Sequence, residues 1–228
     1  MDVILAFGAA LLSLRLSGAL AGRWRASRRP ALAAWAASLG CYAVASAALA
    51  WGAAHGWDAR AFRVYYLFGG LLTAPLLGAG SLLLQGRRWA APAALLWVGF
   101  AAGIAISVHV HGSFGGTAIP AAQAHLSFFP ARLAAIVANT LGTLAVVAVA
   151  VASLRRRALG NALILAGVGV AAAGSAVAGL GVARTAAFFA LAVVLLYAGF
   201  VVPGSASAAV DWRRCVARFR SLPSRLSA

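Results

Sequence analysis

The chain has no lysine and no glutamate, and its only acids are Asp2, Asp58 and Asp211. Each absence removes a class of activity. Without lysine no retinal Schiff base can form. All three acids fall in segments expected to face water, which leaves no carboxylate inside a membrane for proton coupling. Without glutamate the His–Glu helix of an intramembrane metalloprotease cannot be built. The two cysteines are Cys41, in an apolar run, and Cys215, in a basic stretch. At such different depths they read as unpaired thiols rather than a disulfide or a metal pair. Charged residues make up 10% of the chain, where a soluble domain carries about a quarter.

What remains is apolar, at 64% of all residues. About 20 consecutive apolar residues span a bilayer as a helix. In lipid every backbone polar group must be paired internally, so only helices or a closed barrel can cross. Barrel strands alternate apolar and polar residues, and runs such as 144–152 (LAVVAVAVA) do not. The expected class is therefore all-α, an integral membrane bundle. Seven transmembrane helices are expected at about 3–21, 31–53, 64–84, 91–108, 130–153, 158–178 and 185–202. A long loop, 109–129, separates the fourth and fifth. Residues 1–205 form the transmembrane domain and 206–228 a basic cytoplasmic tail. In the tail Trp212, Val216 and Phe219 recur at helical spacing between Arg213, Arg214, Arg218 and Arg220. That pattern reads as an amphipathic helix on anionic inner-leaflet lipid, or as a docking segment for a partner protein.

The 19 basic residues are all arginine. They cluster at Arg23, Arg25, Arg28 and Arg29, at Arg87 and Arg88, at Arg155, Arg156 and Arg157, and again in the tail. Arg60, Arg63, Arg132 and Arg184 fall in the other set of loops. Short arginine-rich loops are retained in the cytoplasm. The alternation therefore predicts an N-terminus outside, a C-terminus inside and a plasma-membrane location. The first apolar run resembles a signal peptide with a small-residue site, but its charges follow the run instead of preceding it. It reads as an uncleaved first helix. The net charge of +16 is explained by these clusters, so no nucleic-acid partner is expected. Abundant Ala and Arg with no Lys or Glu fits the codon usage of a GC-rich bacterium.

Small residues repeat every four positions in several spans: Gly70, Ala74 and Gly78; Gly99, Gly103 and Ser107; Ala134, Ala138 and Gly142; Gly167, Ala171, Ser175 and Gly179. Such stripes let helix backbones approach closely. Packing within the bundle is the preferred reading, a homo-oligomer face the alternative. Pro75 lies mid-span and is expected to kink its helix.

Few residues are candidates for chemistry. Arg15 lies inside the first span, where it either snorkels to the headgroups or holds an anionic or carbonyl partner. Asn139 and Thr143, with Thr140 beside them, form a polar stripe, and Tyr42 and Tyr197 add hydroxyls from other helices. Arg15, Tyr42, Asn139, Thr143 and Tyr197 are the residues of a candidate polar pocket, although such groups more often hydrogen-bond across helices as structural glue. Tyr65 and Tyr66 fit an aromatic belt near the outer boundary. His109, His111 and His125 are a candidate outer site for a metal or for pH sensing, with solvated loop histidines as the plainer reading. No histidine is deep enough to ligate haem between helices, and no cofactor is expected.

Two segments, 62–84 (FRVYYLFGGLLTAPLLGAGSLLL) and 134–157 (AAIVANTLGTLAVVAVAVASLRRR), resemble parts of an uncharacterised group of bacterial multi-pass membrane proteins. The resemblance covers about two spans and implies no activity and no site residues. The 3+1+3 plan of spans is similar to that of sugar transporters of the SWEET type. Their paired helix prolines are missing, since Pro75 is the one mid-span proline. With no nucleophile–base constellation, the expected function is non-catalytic binding of a ligand or partner. The alternative is a small transporter or channel for an uncharged or anionic solute.

Overall fold

The computed structural model describes residues 2–155, 158–176 and 182–201. The basic tail, Cys215, Arg156, Arg157 and Gly179 lie outside the described residues. Within them every regular element is helical. The helices are α1 (Asp2–Ser27), α2 (Pro30–His55), α3 (Ala59–Leu84), α4 (Ala90–Ser107), the single turn α5 (Ala122–His125), α6 (Phe128–Ala152), α7 (Ala158–Ala176) and α8 (Val182–Val201). Five of them, α1 to α4 and α6, are long and apolar enough to cross a membrane. The helices α7 and α8 contain the shorter apolar stretches Ala158–Ala171 and Ala190–Gly199.

Local chemistry explains the boundaries. Pro30 opens α2, where its missing N–H would have had no helical partner. The carboxylate of Asp58 accepts from the Ala61 N–H at 2.6 Å and caps α3. This cap starts the helix at Ala59 rather than at the expected 64, and Arg60 and Arg63 join its first turns. At the other end of α3 the Arg87 N–H reaches the Leu82 carbonyl and the Gly86 N–H the Leu83 carbonyl. Gly86 takes φ +80°, the left-handed value this cap needs. In α6 the regular winding follows Phe129, which is extended at φ −107° and ψ 138°.

The small-residue stripes bring pairs of helices into backbone contact. A methyl added at Gly78 would meet the Gly142 carbonyl oxygen at 2.7 Å, and one added at Gly142 would collide with the Ala74 carbonyl. The stripes of α3 and α6 thus face each other inside the bundle. Gly167 lies against Leu196, and Gly199 against the Gly160 carbonyl, joining α7 to α8. The stripe of α4 differs: Gly99 and Gly103 have nothing within 4 Å of an added methyl.

Two apolar cores stack along the bundle. One holds Leu49, Phe62, Leu71, Ile104 and Ala131; the other holds Leu20, Trp35, Leu77, Val146 and Leu196. Arg23, Arg25, Arg28, Arg29, Arg87, Arg88 and Arg155 sit in the turns or helix termini beyond the second core, at the arginine end. Arg60, Arg63 and Arg132 lie at the long-loop end. The outward surface is apolar, with Leu96 at 77% and Ile106 at 79% exposure. Such side chains suit a hydrocarbon solvent.

Candidate functional site

The site grows out of one missing hydrogen. Pro75 has no N–H, so the carbonyl of Leu71, four residues earlier, loses its helical partner. Upstream of it, α3 widens to a π-helix over Tyr66–Leu72, a distortion that often marks functional positions. Side chains donate to three carbonyls of this turn, the one freed by Pro75 among them. Trp97 Nε1 donates to the Leu71 carbonyl, Asn139 Nδ2 to that of Gly70 and Thr73 Oγ1 to that of Phe68, each at 2.7 Å. Asn139 Nδ2 also donates to the Ala135 carbonyl at 2.9 Å. These two bonds fix the orientation of the Asn139 amide.

Beside this widened turn lies a cavity of about 490 Å³. Tyr42 and Ser46 of α2, Tyr65, Tyr66 and Gly69 of α3, and Asn139 and Thr143 of α6 line it, with Ile119 and Pro120 of the long loop above. Tyr42 lies roughly 20 Å below the His55 end of α2 at 1.5 Å per residue, so the cavity reaches towards mid-span. Tyr66 donates its hydroxyl to the Ala131 carbonyl at 3.1 Å. Among the described residues, the hydroxyls of Tyr65 and Thr143 have no hydrogen-bond partner. The lining carries no formal charge. Hydroxyl and amide groups in an apolar wall suit an uncharged ligand held by a few hydrogen bonds. They do not form a nucleophile–base pair.

Three of the five expected pocket residues, Tyr42, Asn139 and Thr143, come together here. The other two do not. Arg15 is exposed on α1, and Tyr197 packs against the core at the arginine end. The expected choice between pocket and glue was too narrow for Asn139, which cross-links α3 and also lines the cavity.

The histidines belong to the loop that covers the site. The His111 N–H donates to the His125 carbonyl, and His125 Nδ1 lies 2.9 Å from the His111 carbonyl. The His125 ring stacks on Phe114 at 4.3 Å, and Phe62 lies 5.5 Å from both rings. The Trp57 N–H binds the Gly116 carbonyl and ties the loop to the α2–α3 turn. His109 is exposed, its ring 6.5 Å from that of His111. Among the described residues no three His, Cys, Asp or Glu side chains converge as metal ligands.

Sequence reasoning missed several working groups. Arg63 donates to the carbonyls of Ala105 and Ile106 at 3.2 Å each, and so caps α4. Asn161, 3% exposed, donates to Ser153 Oγ at 2.9 Å across the α6–α7 turn. Trp97 was readable in principle, because Pro75 announces an orphaned carbonyl at Leu71. No family model matches this chain, and neither a curated protein nor a solved structure matches it.

Proposed function

We propose that this chain is a plasma-membrane protein with seven spans, its N-terminus outside, that binds a small uncharged ligand without transforming it. The cavity at the π-turn carries this reading. It is lined by residues of α2, α3, α6 and α7 and of the long loop, with hydroxyl and amide groups among them. The segregation of arginines to one end of the bundle supports the orientation. The helices α7 and α8 supply the sixth and seventh spans. The tail 206–228 is read as an amphipathic segment on the anionic inner leaflet.

A second reading, a transporter for an uncharged solute, is favoured by one observation. The cavity extends towards mid-span at a proline and π-turn, where a helix can bend. A native mass spectrum of the protein released from its own membrane distinguishes the classes. Binding predicts a stoichiometric small-molecule adduct that Thr143→Leu, which fills the cavity, removes. Absence of any adduct on the unmodified protein, or an adduct indifferent to Thr143→Leu, contradicts it. Uptake of the identified ligand into vesicles, abolished by Asn139→Ala, would select the transporter.

A further inference from the structure

A groove of about 510 Å³ lies on the outer side of the cavity wall. It shares Tyr66, Gly70 and Asn139 with the cavity, but its own lining adds Arg132, Gln123 and Thr140. Arg132 is half-buried, and its guanidinium lies 5.7 Å from the centre of the Phe128 ring. The ring contact holds the cation in place and leaves its N–H donors uncommitted. Among the described residues Arg132 has no acidic or hydrogen-bonding partner. Asp58, an acid at this end, is engaged as the cap of α3. Ile136 of α6 lines the groove and is exposed, and Leu133, one turn nearer the helix start, is exposed as well.

We infer that this groove binds an anionic phospholipid from the leaflet at the long-loop end. The phosphate meets Arg132, and the acyl chains lie along the apolar face of α6. A guanidinium offers a planar fork of donors that matches phosphate oxygens two at a time. Gln123 and Thr140 supply neutral hydrogen-bonding groups beside it, and Ile136 begins the hydrocarbon contact. The bound lipid would then lie against Tyr66 and Asn139, the residues that separate groove from cavity. The inference rests on the membrane reading of the bundle. It does not depend on what fills the cavity.

The test uses the full chain in nanodiscs, followed by native mass spectrometry after mild delipidation. Phosphatidylglycerol, phosphatidylcholine and inorganic phosphate are each titrated. The protein should retain one phosphatidylglycerol in preference to phosphatidylcholine. Arg132→Gln should weaken that retention about tenfold, the scale of a lost hydrogen bond to a charged group. Arg132→Lys should restore part of it. Arg60→Gln, at the same end but outside the groove, should leave it unchanged. Equal retention of both lipids would overturn the inference. So would an equal loss in Arg60→Gln, or competition by inorganic phosphate at millimolar concentration. Thr140→Val provides a second route should Arg132→Gln fail to fold, and it should lower retention without abolishing it. If the chain does not enter nanodiscs at all, the membrane reading itself fails, a result distinct from all of these.

Discussion

At the scale of residues, the fold turns on how carbonyls beside a proline are satisfied away from water. The Leu71 carbonyl is paired by a tryptophan from the next helix, and the Gly70 carbonyl by an asparagine two spans on. Trp97→Phe keeps the ring volume and removes the donor. It should lower stability by about 1–2 kcal/mol, because an unpaired carbonyl away from water is expensive. Thermal unfolding in detergent measures this. Trp89→Phe, at a position 61% exposed, serves as a control and should change nothing. An equal effect of the two substitutions would refute the role given to Trp97. Asp58→Ala should cost about 1 kcal/mol in the same assay, since it leaves the first turn of α3 without its cap.

At the scale of elements, the small-residue stripes divide into two kinds. Gly142 touches the backbone of α3, so Gly142→Ala should destabilise by about 1–3 kcal/mol through overpacking. Gly99 faces open space. Gly99→Ala should be neutral or should stabilise by up to about 1 kcal/mol, as alanine restricts the unfolded chain. Equal losses at the two positions would mean that the α4 stripe is also covered. The periodicity of the stripes was legible in the sequence, but not which of them meet. That depends on the rotation of each helix about its axis, which a run of alanines and leucines does not encode. The five helices long and apolar enough to cross a membrane were legible for the opposite reason, because length and polarity alone decide them. The site was legible in part. Asn139 and Thr143 stand out as polar groups in an apolar run, and Tyr42 joins them. Arg15 stands out equally but lies on an exposed face, and Arg132 reads only as a loop charge because a cation near a helix end is ordinary. The long loop could be placed but not folded, since its closure rests on one backbone bond and one ring-to-carbonyl contact between His111 and His125, and on stacked rings.

At the scale of the whole molecule, composition and charge point to one account. A chain with 64% apolar residues and only three acids exposes leucine and isoleucine along its sides and collects arginine at one end. Two stacked cores, rather than one central core, suit a bundle whose sides are solvated by lipid. The cavity is lined in part by the long loop, at the end poorer in charge, and that loop is tied down by aromatic contacts. In the proposed orientation, the cavity and the groove beside it both face the outside of the cell. The measurement that bears most directly on this is the accessibility of single cysteines, in a chain carrying Cys41→Ala and Cys215→Ala, to a thiol reagent that cannot cross membranes. Ser113→Cys in the exposed long loop should be labelled in intact cells, while Gln85→Cys at the arginine end should be labelled only after lysis. Labelling of Gln85→Cys in intact cells, with Ser113→Cys protected, would contradict the account.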